Sequence, residues 1–503
     1  MTARSTTAAL PVPAAGSADA VHALLAAGSI ANISLVSTEH ARCVSYDLDT
    51  TLLPQAVDSP GIDKKTARLL DALAAILVSR AQHEVIAIGA QVQHSNNLSD
   101  QSGKLQLVLA ANAALPQTIQ AYLEEVWKCM QLLAEHRQQL RLPEAKDQCA
   151  RMAELIYRHN FPKFLRRVGK REAAALRFHE AMQNHISRED VLQYDSTAAV
   201  IAMLTSYSEL IDLFSAHQVG GKNEVSVDVV SDPNFLPIMD GLWLAFRLLR
   251  SLGEHSFHSW GLRLPDHSTV ELWRFFNKVT LIHGSIAELE SVARSTRLYR
   301  LFQKKLVVEI VDYPRKRVTL PTSKDAWATL IDTTLNSAQP LKPIEPQVIQ
   351  STAAALSTRF SDKSVLCGIH CECKILQRFT TTAYKIKPIN YIGVSKLSCT
   401  GCAAVFNSYN ELQNSRDHRF YTRGAHGKWY FPWFLPEVGG VEQIDFTNRV
   451  YSKLAGQYAQ YLKTVALSDS SALSEGSQEA SGTAKDWMRL RAKALQNLDK
   501  IKA

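Results

Sequence analysis

The stretch that decides the reading is Gly368-Ile369-His370-Cys371-Glu372-Cys373-Lys374-Ile375-Leu376, followed by Tyr391-Ile392-Gly393-Val394-Ser395-Lys396-Leu397-Ser398-Cys399-Thr400-Gly401-Cys402. Five of the chain's eight cysteines fall between Cys367 and Cys402. A catalytic zinc takes three protein ligands and leaves a fourth position for water. Cys399 and Cys402 stand three apart, so at the start of a helix they share a face. The free N–H groups and dipole of that helix start favour thiolates. His370 supplies a third ligand as neutral imidazole. Glu372 is then a carboxylate beside the metal without a ligand's duty. Such a group takes a proton from metal-bound water and returns it to a leaving group. The same residues allow another arrangement, a closed structural site of Cys371, Cys373, Cys399 and Cys402. In the first arrangement Cys367, Cys371 and Cys373 are buried packing residues.

The local pattern places these side chains on recognisable elements. Residues 365–369 read as a short strand or turn, 370–379 as a helix, 389–394 as a strand and 399–412 as a second helix. Ser398 gives the second helix a cap. Further on, 422–430 reads Thr-Arg-Gly-Ala-His-Gly-Lys-Trp-Tyr. Arg423, His426, Lys428 and Trp429, with Tyr430 and Trp433 beside them, suit a substrate wall. Bases stack on aromatic faces, and cations meet phosphates or polar base edges.

Outward from this region the chain is long, with 503 residues, 46% of them apolar, 21% charged and a net charge of +8. That length predicts several domains, and that composition a globular protein. The mild positive charge is compatible with a nucleic-acid partner without requiring one. No run of about 18 uncharged apolar residues occurs, so no membrane span is expected. Crowded cysteines suit a metal in a reducing compartment, hence an intracellular, cytoplasmic or nuclear setting.

The expected organisation is a disordered tail over 1–20, a mainly helical N-terminal domain over 21–303 and a zinc domain over 304–467. A flexible linker over 468–484 and a terminal amphipathic helix over 485–503 complete it. Apolar residues at helical spacing recur over 117–141, 148–165, 172–186, 198–214, 239–252 and 270–281. The runs 85–88 and 105–109 fit either a hairpin or a helix pair. The β-type run 306–311 is expected to pair with 317–320 across Pro314. Asp47 and Asp49 after a short strand read as a helix-capping turn rather than a phosphotransfer motif. His255 and His258 read as ordinary polar or core histidines, and the basic cluster from Lys163 to Arg171 as a solvated helix face. The large N-terminal part is expected to serve targeting or regulation, with a protein partner.

His-x-Glu followed by Cys-x-x-Cys is the signature of zinc deaminases, in which the Glu shuttles protons and is not a ligand. Here Ser398 replaces the proline that usually precedes the first cysteine. With the 391–402, 422–430 and Trp433-x-x-Pro436 stretches, the region resembles the OTT-type deaminases. These are a branch of the cytidine-deaminase-like superfamily found in some intracellular bacteria and expanded in fungi. The resemblance covers residues 370–436. It implies one catalytic Zn2+ and hydrolytic deamination of a nucleobase-containing substrate, whether nucleoside, nucleotide or nucleic acid. The fold expected is α+β overall, a large mainly α-helical N-terminal region followed by an αβα three-layer cytidine-deaminase-like domain. The competing reading is a non-catalytic binding or interaction module with a structural zinc.

Overall fold

The computed structural model describes residues 13–30, 64–80, 84–93, 103–136, 143–185, 195–219, 224–253, 257–260, 269–338, 344–361, 364–382 and 387–472. Asp47, Asp49, His255 and the expected terminal helix over 485–503 lie outside the described residues, as does most of the expected linker and much of the expected tail.

Along the chain, α1 (Ala18–Ile30) and α2 (Lys64–Ile76) precede β1 (Ile86–Gln93) and β2 (Lys104–Ala111). The helices α3 (Ile119–Glu135), α4 (Pro143–Gly169), α5 (Glu172–His185), α6 (Asp195–Ala216), α7 (Phe235–Leu252), α8 (Thr269–Val279), α9 (Leu281–Ala293) and α10 (Tyr299–Phe302) follow. Then come β3 (Lys305–Ile310), β4 (Lys316–Thr319), α11 (Lys324–Ala338), α12 (Pro346–Arg359) and β5 (Ser364–Cys367). The chain continues through α13 (Cys371–Thr381), β6 (Gly393–Val394), α14 (Thr400–Leu412) and α15 (Gln443–Ala472). The fold is α+β, with its helices concentrated between β2 and β3.

Two compact units result. One is built from Met1–Ala74, Val85–Leu115 and Lys304–Glu475, the other chiefly from Pro116–Gln303. The first holds a sheet of order β3-β2-β1-β6. The runs near 85 and 105 form an antiparallel pair, Ile86 opposite Ala111 through Gln93 opposite Lys104. β3 then joins β2 in parallel, Lys104 opposite Lys305 through Leu109 opposite Ile310. A parallel pair needs a long crossover, and here the whole stretch Pro116–Gln303 supplies it. The expected pairing of 306–311 with 317–320 is therefore corrected: β4 pairs antiparallel with β5 in a separate sheet. Strand partners are chosen by which edge is free, and β2 offers its edge to β3 because β1 occupies the other.

Six consecutive buried residues open β1, the mark of a strand covered on both faces. On one face α13 lies across β1 and β2. At Gly89 an added Cβ would meet the Phe379 ring at 2.5 Å and Ile375 at 2.8 Å. α1 reads Ala-Asp-Ala-Val-His-Ala-Leu-Leu-Ala-Ala-Gly-Ser-Ile, apolar on nearly every side. A helix of that kind belongs inside a core, and Ala20 through Ala27 are at most 3% exposed. It packs on α15, with Leu25 against Gly401 of α14. α15 itself continues to Ala472, into the expected linker; no Gly or Pro lies between Gly456 and Gly476 to stop it.

The second unit is all-helical in its described part. Its centre is aromatic, with Tyr157 edge-on to Phe235 at 4.9 Å and to Phe164 at 5.2 Å. The expected periodicities each fall on a helix. By length and hydropathy Ser196–Ala216 would suit a membrane span. Its Val200, Met203, Leu204, Tyr207 and Leu210 are buried in the unit's core. In the basic cluster, Phe161 and Phe164 are buried too, and Arg171 pairs with Glu271 at 2.9 Å.

Candidate functional site

β5 ends at Cys367, and after two residues the chain turns into α13. His370 is the N-cap of that helix, in extended backbone, and its side chain makes no capping bond. The ring is turned instead toward Cys399 and Cys402. The exposed helix start is served from elsewhere: Asn112, just past β2, accepts from the Cys371 N–H at 2.8 Å. α14 begins in the same way, with Cys399 as an extended N-cap and no side-chain cap. Cys402 lies within the first turn of the helix.

Two helix starts thus meet. His370 Nδ1 is 3.5 Å from Cys399 Sγ and 3.4 Å from Cys402 Sγ, and the two sulfurs are 3.4 Å apart. Zinc with Zn–S near 2.3 Å and Zn–N near 2.0 Å has tetrahedral edges of about 3.8 Å (S to S) and about 3.6 Å (S to N). The donor triangle fits that ion. Among the described residues this is the group of metal-ligating side chains that gathers. Cys371 and Cys373 stand outside it. The Cys371 thiol donates to Glu372 Oε2 at 3.3 Å, and Cys373 sits beside Cys402, its thiol pushed up to about 11 by burial.

The electrostatics agree with a cation site. Burial, then the bond with Cys373, pushes the Cys402 thiol far up. Cys399 rises through its bond with Cys402 and through burial. Burial resists charge on His370, yet the charge and bond of Cys399 prevail and raise it. Two buried thiols this close resist ionising together, and a cation bound between them would relieve that repulsion. Trp433 Nε1–H donates to Cys402 Sγ at 3.4 Å, the kind of outer bond that orients a ligating sulfur.

Glu372, 4% exposed, occupies the first turn of α13 beside this triangle. The 424–428 loop is laced to the start of α14. His426 N–H donates to Ser398 O at 3.1 Å, Ser398 N–H to Gly424 O at 2.9 Å and Thr400 N–H to Lys428 O at 3.0 Å. Gly424 and Gly427 take φ of +130° and +69°, values that favour glycine. His426 Nδ1 accepts from the Lys428 N–H at 3.0 Å. Burial, reinforced by Lys428, lowers the His426 pKa to about 4, and the charges of Glu372 and His370 also reach it. Tyr430 stands edge-on to His426 at 5.5 Å and is 48% exposed. Lys428 is exposed.

The two tryptophans of the expected wall are buried, and Arg423 is half-buried. Trp429 is 2% exposed; it faces Gly28 of α1, where a Cβ would come within 2.2 Å of its ring. Trp433 is fully buried. Arg423 lends its charge to the buried Asp71, whose carboxyl is raised by burial against that charge and its hydrogen bonds. His258 bonds Thr269 Oγ1 at 3.3 Å, as an ordinary polar histidine does.

Several residues around the site carry no local signal. Asp71 of α2 accepts from Tyr391 O–H at 2.7 Å and from Val394 N–H at 3.0 Å, pinning the strand that leads to Cys399. A Cβ on Gly393 would sit 2.3 Å from the Leu70 carbonyl carbon. Lys374 holds Ala111 O at 2.8 Å and Asp312 at 2.5 Å. His22 of α1 accepts from Leu435 N–H at 3.0 Å. The partners are 62 to several hundred positions apart in the chain, so no spacing rule finds them.

In the second unit a cleft of about 780 Å³ is lined by Cys149, Asp240, Trp243, His283, Glu290 and Arg294 among others. Its acids are largely engaged, Asp240 with His283 at 2.8 Å and Glu290 with Arg294 at 3.5 Å.

Comparison with known proteins gives one finding. Residues 369–437 match the model of the OTT_1508-like deaminases. No curated protein and no solved structure matches. The matched segment runs from the residue before His370 to just past Trp433, and so contains the whole donor triangle, Glu372 and the 421–430 loop. Over this segment the chain is similar to the OTT_1508-like deaminases.

Proposed function

We propose that the chain is a zinc-dependent hydrolytic deaminase of a nucleobase-containing substrate, with His370, Cys399 and Cys402 as ligands. The observation that carries the reading is the donor triangle with a buried carboxylate, Glu372, beside it inside a deaminase-family segment. Three ligands leave a position open, as a catalytic zinc requires. When bound, zinc supplies Lewis acidity and water acidic enough to react near neutral pH.

The remaining work falls to the chain. Glu372 takes the proton of the attacking water and delivers it to the ring nitrogen of the amidine, then to the departing amine. The balance is water plus amine-bearing ring giving carbonyl plus ammonia. The neighbouring Cys371 thiol donates to Glu372 Oε2 and so orients the carboxylate. Trp433 holds the Cys402 sulfur in place. His426, Lys428 and Tyr430 form the substrate side, the first by hydrogen bonding, the second by charge and the third by its exposed ring. Trp429, occupied in the core, is left out of it.

A closed, structural zinc is the second reading, favoured by the position of Cys373 beside Cys402. The test compares Glu372→Gln and Cys373→Ala for bound zinc by elemental analysis and for ammonia release from pooled nucleosides, nucleotides, RNA and single-stranded DNA. Glu372→Gln is expected to keep zinc and lose deamination, and Cys373→Ala to keep both. Loss of zinc in Cys373→Ala, with no ammonia from the unmodified protein, would establish the structural site instead.

A further inference from the structure

We propose that His426 selects the substrate base, donating from Nε2 to an acceptor next to the amidine nitrogen, and that it thereby favours cytosine over adenine. This rests on the deaminase reading above.

The tautomer follows from the backbone. Lys428 N–H donates to His426 Nδ1 at 3.0 Å, so in the neutral ring the proton sits on Nε2. The ring cannot easily exchange its nitrogens. The backbone N–H of His426 is tied to Ser398 O, its ring stands T-shaped to Tyr430, and Gly424 and Gly427 hold the loop on either side in conformations that favour glycine. Ser398 O and Thr400 N–H, which hold the backbone of His426 and Lys428, flank Cys399, so the loop lies at the edge of the candidate centre, and the charges of Glu372 and His370 both reach the ring. Among the described residues Nε2 has no protein acceptor. A fixed donor without a partner, on the loop bound to the residues flanking Cys399, calls for an acceptor on the ligand.

The chemistry of the two bases differs at that point. Hydrolytic deamination protonates the ring nitrogen adjacent to the amino-bearing carbon. In cytosine this nitrogen is N3, and its other neighbour is the C2 carbonyl. In adenine it is N1, whose other neighbour is a C–H. A donor directed at that neighbouring position, as proposed for His426 Nε2, meets an oxygen in cytosine and a C–H in adenine. Leaving such a donor unpaired costs about 10- to 100-fold. The exposed Tyr430 ring, edge-on to His426, offers the base a stacking face.

The experiment uses the full chain loaded with zinc, and cytidine and adenosine as probes, each free and within a short single-stranded oligonucleotide. The unmodified protein is expected to deaminate the cytosine probes preferentially. His426→Phe, which keeps a ring but has no donor, should raise KM for cytosine about 10- to 100-fold with a smaller change in kcat, and should flatten the preference. His426→Gln, which retains a donor, should recover part of it. Zinc content of each variant shows whether the site is intact. A second arm measures cytidine binding to Glu372→Gln by calorimetry, with and without His426→Phe, and expects the same loss. Preferential deamination of adenosine, or an unchanged preference in His426→Phe, overturns the selection by His426 while the deaminase reading stands. Silence on every probe counts against the deaminase reading, and the binding arm then decides His426 on its own.

Discussion

Acidification tests whether α1, far upstream of the matched segment, is a structural part of the catalytic unit. His22 is 1% exposed, its ring stacked on Phe434 at 4.8 Å and its Nε2 accepting from Leu435 N–H. Nδ1 has no hydrogen-bond partner among the described residues. Burial holds its pKa down, from 6.5 to about 4. The folded value lies below the unfolded one, so as pH falls the unfolded chain takes the proton first. The stability associated with neutral His22 is complete above about pH 6.5, drains away between 6.5 and 4, and is gone below. The whole difference amounts to about 3 kcal/mol, of which about 2 kcal/mol is lost by pH 5. For a unit of this size that lowers Tm by about 4–8 °C. Acid also releases metal and charges His426, so the informative quantity is the difference from His22→Gln. Glutamine keeps an acceptor for Leu435 N–H and does not titrate. The assay is Tm from pH 7.5 to 4 for both proteins, by calorimetry. The variant is expected to start lower and fall less steeply. Parallel curves would show that His22 is not buried neutral, and that α1 does not fill this core.

Two further perturbations probe the supports of the site. Asp71→Ala leaves Tyr391 O–H and Val394 N–H without their acceptor and should cost about 2–4 kcal/mol in urea denaturation; stability equal to that of the unmodified protein would remove α2 from the support of β6. Trp433→Phe deletes the N–H that reaches Cys402 Sγ and should weaken zinc retention against a chelator about 10-fold. Unchanged retention at unchanged stability would show that the indole only packs.

Much of the centre was legible in the sequence because it depends on neighbours. Cys399 and Cys402 share a face by helix geometry, and His-x-Glu puts a ligand and a carboxylate on one helix start. The expected helices over 370–379 and 399–412 lie within a residue or two of α13 and α14. The aromatic block was harder. Trp429, Tyr430 and Trp433 look alike in a composition, yet two are buried and one is half exposed. Which aromatic becomes core depends on what covers it, and for Trp429 the cover is α1, with Gly28 against its ring. Similarly, Arg423 and His426 are both polar residues of one loop. The charge of Arg423 reaches Asp71, on α2, and that of Lys428 reaches His426.

The sequence by itself determined the chemistry of the centre: its donor set, the carboxylate beside it and the helix starts that carry them. These follow from intervals of two or three residues, over which backbone geometry leaves little choice. The tertiary structure alone decided what surrounds that centre. It brought Asn112 to the start of α13, Asp71 to the strand before Cys399 and α1 into the core. It also made Pro116–Gln303 the connection between two adjacent parallel strands. Hydrophobic burial is non-directional, and an open strand edge accepts any partner that fits. Contacts over such distances are settled by the shape of the whole packed unit, which no local pattern encodes.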